Sequence, residues 1–167
     1  IPATAMAQTG IKVDQSFFKD PEFIKSFVAS YGALPQVEPK VSEEENTLLV
    51  DVGELLQSDR KAAAARLLQS LHSKSSPALI FILGNLYFQE GNLPAAEKAF
   101  NMAIERHPPF RRAHKNLALL HVQKNDLDAA LKPLQKAIQL GESDARSFGL
   151  LAVCYMNKEQ LVAAEAA

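Results

Sequence analysis

Hydrophobic positions in the central part of the chain repeat with a period of 34 residues. Leu83 is followed by Leu117 and Leu151 at this spacing. The small residue Gly84 is followed in the same way by Ala118. The shift also places Tyr87 on His121 and Tyr155, Leu93 on Leu127 and Leu161, Ala96 on Ala130 and Ala164, and Phe100 on Leu134. A constant period of this size is typical of stacked supersecondary units, none of which can bury its apolar face alone.

Each unit contains the signals of two helices. In the first full unit, a helical stripe of apolar residues passes through Leu83 and is interrupted at Gly91. Pro94 suits the start of a second helix, because the amide hydrogen that proline lacks would have no helical partner there. The prolines at 108–109 end that second helix. The sequence therefore predicts an antiparallel helical hairpin over residues 77–110.

This pattern resembles the tetratricopeptide repeat family. The match is carried by Ile80, Leu83, Gly84, Tyr87, Ala96, Phe100, Ala103 and Pro108, with Ile80 at the position where the family prefers Trp. In the next unit His114 and His121 occupy aromatic positions, and Glu142 replaces the closing proline. The resemblance implies an all-α, right-handed solenoid of antiparallel helix pairs that serves as a non-enzymatic protein-binding module.

We expect the solenoid to occupy residues 42–167. Its predicted units are a degenerate repeat (42–76), two repeats (77–110 and 111–144) and a partial repeat (145–167). Ser42 with Glu45 forms a capping-box pattern at its start. Pro133 lies within the second helix of one repeat, where it is expected to remove a hydrogen bond and bend the helix.

The first 41 residues lie outside the period. Residues 1–19 are expected to form a flexible tail, and residues 20–41 an amphipathic helix followed by a proline-containing linker (33–41). The apolar stripe of this helix comprises Phe23, Ile24, Phe27, Val28 and Tyr31. We expect it to cap the first repeat, because solenoids need their ends covered. Docking of the helix onto a second copy of the chain or onto a membrane surface is the alternative.

The segment ATAMAQ near the N-terminus has the small residues typical of a signal-peptidase cleavage site. It is consistent with a bacterial protein that is exported to the periplasm. The alternative is an arbitrary chain boundary in a cytoplasmic protein, and the two interpretations stay equally open.

Composition excludes several classes of function. The sequence contains no run near the roughly 20 apolar residues that a bilayer requires, so no membrane span is predicted. A net charge of −1 disfavours a general nucleic-acid binder. The single cysteine, Cys154, lies on a predicted helix and is expected to be a small buried thiol.

No residue pattern points to catalysis, a cofactor or a metal. The sequence has no glycine-rich phosphate loop, no nucleophile elbow and no metalloprotease helix motif. His114 and His121 are seven residues apart, whereas two metal ligands on one helix usually lie three or four apart. Packing roles are therefore expected for both histidines, and an enzyme is not expected.

Residues of each first helix that do not pack are expected to line a concave groove. The candidates are Phe81, Asn85, Phe88, Gln89, Arg112, Lys115, Asn116, Gln123, Arg146 and Asn157. The resemblance implies that the groove holds a peptide segment of a partner protein. Asparagines 85 and 116 suit a peptide backbone, and the three cations suit a carboxylate.

Some family members clamp the C-terminal carboxylate of a chaperone with asparagine and basic side chains. Asn85, Asn116 and Arg146 match that arrangement. Phe81 and Leu150 stand where the clamp has cations, so two of its positive charges are missing. The comparison disfavours a chaperone tail as the ligand.

Two other functions stay open at this point. One is a secretion-type chaperone built from such repeats, and the other is an accessory domain of a larger enzyme or assembly. Self-association through the N-terminal helix or the open C-terminal repeat is a further expectation, since an uncovered apolar face needs a partner.

Overall fold

The computed structural model of the protein describes residues 37–158 and residue 165. Within residues 37–158 the chain forms seven helices and no strands. They are α1 (Glu43–Leu56), α2 (Arg60–Ser70), α3 (Pro77–Gln89), α4 (Leu93–Arg106), α5 (Arg111–Gln123), α6 (Leu127–Gln139) and α7 (Ala145–Asn157). The tail and the N-terminal helix expected from the sequence lie outside the described residues.

Local signals in the sequence explain where the helices begin. At the start of α1 the Ser42 hydroxyl accepts from the Glu45 amide at 3.2 Å, and the Glu45 carboxylate accepts from the Ser42 amide at 3.1 Å. The predicted capping box is therefore confirmed. Asn92 caps α4 and Asp126 caps α6, each by accepting from an amide three residues on.

The turns inside the hairpins need a left-handed backbone. Gly91, between α3 and α4, has a φ of +76°. Asn125 holds the same place between α5 and α6 with a φ of 58°. Glycine and asparagine tolerate this conformation better than other residues, so each turn has a residue that suits it. The predicted break near Gly91 is confirmed.

Pro133 lies inside α6, as the sequence predicts, and the helix continues beyond it to Gln139. Its side chain is half-buried.

The hydrophobic core is distributed along the chain in three clusters. The first joins α1, α2 and α3 around Val52, Leu67 and Leu83. The second joins α3, α4 and α5 around Phe100, and the third joins α5, α6 and α7 around Leu134. Each helix contacts the next one in the chain. The core is therefore divided among neighbouring hairpins, as in a solenoid.

The close approach of α3 to α4 depends on Gly84. A Cβ atom at this position would lie 2.7 Å from ring atoms of Phe100 and 3.2 Å from the Cβ of Ala99. Phe100 is fully buried, so its ring has little room to move. Gly84, the small residue of the repeat pattern, therefore lies where the two helices of the hairpin contact each other.

Within residues 37–158, no helix combines the length and the apolar character needed to cross a bilayer.

Candidate functional site

The predicted groove residues lie on α3 and α5, the first helices of two successive hairpins, and on α7, which follows them. Helices α3 and α5 contact each other directly, although α4 lies between them in sequence. The layer formed by α3, α5 and α7 is called the first-helix layer below.

An amide pair joins α3 to α5. The side-chain nitrogen of Asn116 donates to the side-chain oxygen of Asn85 at 2.6 Å. Both side chains are half-buried. The helix positions predicted for the groove are thus brought together across two repeats.

Lys115 lies between two carboxylates. Its ammonium forms an ion pair with Glu142 at 3.2 Å and a hydrogen bond with Asp144. Asp144 also caps α7 by accepting from the Ser147 amide at 2.6 Å. The hydrogen bond from Lys115 holds the pKa of Asp144 well below its ordinary value. This predicted groove cation is therefore already paired within the protein.

The pKa of Lys115 itself is raised. Partial burial of the ammonium acts to lower this pKa, but hydrogen bonds and charge interactions with Asp144 and Glu142 outweigh that effect. The charged form of Lys115, compared with its neutral form, is thus more stable than it is in an isolated lysine.

Arg112 is engaged on two sides. Its Nε donates to the Glu38 carboxylate at 2.8 Å. Its guanidinium lies over the Phe81 ring at 5.6 Å and near the Phe110 ring at 6.0 Å, within the range of cation–π attraction. Arg111 lies 3.6 Å from the same carboxylate. Glu38 and the two arginines form what is called the arginine site below.

The two aromatic candidates for the groove, Phe81 and Phe88, differ in how deeply their side chains are buried. Phe81 is only 6% exposed and packs against Phe110, with ring centroids 4.8 Å apart. It therefore belongs to the core, beneath the Arg112 guanidinium. Phe88 is half-buried, and its ring centroid lies 6.4 Å from that of Phe100.

The remaining candidates are exposed polar residues. Gln89 ends α3, Gln123 ends α5, and Arg146 and Asn157 lie at the two ends of α7. All four are exposed. Within residues 37–158, Arg146 forms no ion pair, unlike Arg112 and Lys115.

The carboxylates that pair with the groove cations are not among the residues predicted for the site. From the sequence, Glu38 belongs to a linker, and Glu142 stands out only as a substitute for the closing proline. One signal indicates that an acidic partner exists, because Arg111 and Arg112 stand in the first turn of α5. Cations are unfavourable near the positive end of a helix dipole, so the pair indicates a nearby anion.

The histidines and the cysteine make contacts within the protein. The His114 ring forms a hydrogen bond with the Pro108 carbonyl at 2.9 Å, which links α5 to the loop before it. Burial lowers the pKa of His114. Cys154 is fully buried, as predicted, and burial raises the pKa of its thiol. In the part of the chain that the structure describes, no three His, Cys, Asp or Glu side chains gather as metal ligands.

Sequence comparison identifies one family. The family model of the tetratricopeptide repeat matches residues 54–109, 81–145 and 115–167, so that its overlapping matches cover more than half of the chain. A search of curated protein sequences finds no match.

Solved structures with the same fold include two forms of MamA and one PilF. A MamA fragment from Desulfovibrio magneticus RS-1 has a TM-score of 0.65 and 19% identity, with 75% of this chain and 72% of that chain covered. Another MamA structure has a TM-score of 0.64 and 20% identity, with coverage of 90% and 87%. PilF from Pseudomonas aeruginosa has a TM-score of 0.63 and 18% identity, with coverage of 92% and 77%. At these levels of identity, the similarities show a shared fold.

Proposed function

Because the chain belongs to the tetratricopeptide repeat family, we propose that it is a non-enzymatic adaptor or scaffold that binds a peptide segment of a partner protein along the first-helix layer. Repeats of this fold generally serve as protein-interaction modules, and their curved arrays offer an extended concave surface. The function therefore depends on what α3, α5 and α7 present to a ligand.

The amide pair between α3 and α5 carries the proposal. The bond from Asn116 to Asn85 uses one donor hydrogen of Asn116 and one lone pair of the Asn85 oxygen. It leaves the amino group of Asn85 and the carbonyl oxygen of Asn116 for a ligand. Within residues 37–158 neither side chain makes another hydrogen bond. A donor and an acceptor side by side match the carbonyl and amide of a peptide backbone.

Charged and polar residues around the amide pair define the rest of the surface. Arg146 is exposed on the first turn of α7 and offers a guanidinium for a carboxylate of the ligand. Gln89 and Gln123 add amide groups at the ends of α3 and α5. The expected ligand is therefore an extended peptide held by its backbone, with an acidic group near α7.

Peptide selection tests this function directly. A phage-displayed peptide library is selected on the wild-type chain, and the selected peptides are then measured by fluorescence anisotropy. We expect binding to weaken at least about ten-fold when Asn85→Ala and Asn116→Ala are combined, since buried polar groups of a ligand would lose their partners. Arg146→Glu is expected to weaken those peptides that carry a carboxylate.

Lys98→Glu is the matched control for Arg146→Glu. Lys98 is an exposed lysine on α4, outside the first-helix layer, and it forms no ion pair within residues 37–158. Circular dichroism establishes that each variant keeps its helix content. Selected peptides that bind the asparagine variant as tightly as the wild type would place the binding surface elsewhere, and the proposal would fail.

A further inference from the structure

Residues 37–39, which precede α1, lie at the edge of the first-helix layer, where Glu38 contacts Arg112. We propose that Val37–Pro39 is a built-in competitor for the ligand, and that the arginine site receives an acidic residue of the partner peptide when this segment leaves. The inference rests on the proposed function and adds the chemistry of the ligand, an Asp or Glu side chain.

Glu38 is held by residues far away in the sequence. Its Oε2 accepts from Arg112 Nε at 2.8 Å across a separation of 74 positions. Its Oε1 lies 3.6 Å from Arg111 Nε. Only 23% of the Glu38 side chain is exposed, and Val37 is 8% exposed. The segment is therefore docked on the repeats and is not a free connector.

The start of α5 is built to attract a negative charge. Its N-cap residue, Phe110, provides no side-chain hydrogen bond, and its first turn contains no acidic residue. Arg111 and Arg112 add two positive charges where the helix dipole already has its positive end. A carboxylate at this place interacts favourably with Arg111, with Arg112 and with the positive end of the helix dipole. Glu38 is the acidic group that lies there in this structure.

Aromatic rings on one side of the arginine site strengthen its attraction for an acidic residue. Phe81 and Phe110 lie beneath the Arg112 guanidinium and keep water away from one of its faces. Glu38 is thus an example of the acidic side chain that the arginine site accommodates.

The segment is suited to being displaced. Residues 37–42 form neither helix nor strand before α1 begins, so their departure breaks no regular structure. The Arg112 side chain is 56% exposed, and an ion pair at that exposure contributes little to stability. The tether to α1 still gives the segment an effective concentration on the order of millimolar. A partner peptide must therefore compete with it.

A synthetic copy of the segment tests the proposal. The probe is a fluorescein-labelled peptide with the sequence of residues 35–41, PQVEPKV, and its affinity is measured by anisotropy. The chain carrying Glu38→Ala is expected to bind the probe at least about ten-fold more tightly than the wild type, because the site is no longer occupied. Adding Arg112→Glu to Glu38→Ala is expected to abolish that gain.

Two controls separate the site from general charge effects. Glu54→Ala removes an exposed carboxylate on α1 that has no ion pair within residues 37–158, and it should leave the affinity for the probe unchanged. A second probe, PQVQPKV, should bind Glu38→Ala no better than the wild type. Equal binding of PQVEPKV to the wild type and to Glu38→Ala would overturn the inference, and so would the absence of binding to both.

The outcome is independent of the peptide selection. If library peptides need Asn85 and Asn116 but are insensitive to Glu38→Ala, the proposed function holds and the competitor is excluded. If PQVEPKV gains affinity through Glu38→Ala while the asparagine variant changes nothing, the arginine site binds acidic peptides outside the proposed groove.

Discussion

Gly84 shows how one residue decides the fit between two helices. Alanine has a higher helix propensity than glycine, by about 1 kcal/mol, but a Cβ here would lie 2.7 Å from the Phe100 ring. We expect Gly84→Ala to lower the free energy of unfolding by about 1 to 3 kcal/mol, as overpacking does in other cores. Urea denaturation measures the change. Gly149 is the control, because a Cβ at that position would meet no atom within 4 Å, and Gly149→Ala should not destabilise the protein.

A second substitution tests the cause. The next repeat has Ala118 in the place of Gly84 and Leu134 in the place of Phe100, and these two residues share a core cluster. In a Phe100→Leu background, the cost of Gly84→Ala should therefore fall towards zero. An unchanged cost would show that the ring of Phe100 is not the obstacle.

Asp144 links the pH dependence of stability to a single ion pair. Its pKa is lower in the folded protein than in the unfolded chain, because Lys115 donates to the carboxylate. The resulting contribution is complete above about pH 5 and is lost as the pH falls towards the folded-state pKa. Asp144→Asn keeps a residue that can cap α7 but removes the charge. It should cost about 0.5 to 1 kcal/mol at pH 7, in the range of partly exposed ion pairs.

The expected pH signature is a difference that shrinks in acid. Urea denaturation of wild type and Asp144→Asn at pH 7 and at about pH 2 provides the measurement, and the gap between the two proteins should be clearly smaller at the lower pH. Glu54→Gln, which alters an exposed carboxylate without an ion pair in residues 37–158, should show no such convergence. A constant gap between wild type and Asp144→Asn would rule out the ion pair as its source.

At the scale of the elements, the two left-handed turns explain why hairpins form at these places. Gly91→Ala is expected to lower the free energy of unfolding by about 1 to 2 kcal/mol, because a side chain at a φ of +76° is strained. Gly91→Asn, which copies Asn125 of the following hairpin, should cost less. Thermal and urea denaturation of both variants provide the comparison. Equal losses for alanine and asparagine would contradict an origin in the backbone conformation.

The elements could be predicted from the sequence because their signals are local. The capping box at Ser42, the break at Gly91 and the cap at Asp126 each depend on residues within a few positions of one another. Helix pairs and their order follow from such signals and from the 34-residue period.

The candidate site could be predicted only in part, because its contacts are not local. Helical spacing places Asn85 and Asn116 on one layer, where they meet at 2.6 Å. Helical spacing does not predict that the Phe81 side chain is buried, because Phe110, from the loop before α5, covers it. Nor does it reveal Glu38, whose contact with Arg112 spans 74 positions. Periodicity identifies the face of a helix, whereas burial and ion pairs depend on what folds against that face.

At the scale of the whole molecule, the divided core predicts uneven stability. Leu67 belongs to the cluster of α1, α2 and α3, and Leu134 to that of α5, α6 and α7. In repeat proteins each unit is stabilised by its neighbours, so a cavity should loosen the nearest hairpins first. Leu67→Ala is expected to accelerate amide hydrogen exchange mainly in α1 and α2, and Leu134→Ala mainly in α6 and α7. Uniform acceleration along the chain would indicate a single cooperative unit.

Glu45 connects the first hairpin to the second through one side chain. Besides closing the capping box of α1, its carboxylate accepts from the Ser76 amide at the start of α3, at 2.6 Å. Burial acts to raise the pKa of Glu45, but these hydrogen bonds outweigh it and lower the value. This side chain therefore links the start of α1 to the start of α3. Aspartate at this position, one methylene shorter, could keep the Ser76 hydrogen bond only if the first two hairpins moved closer together, and small offsets of this kind add up to the pitch of a solenoid.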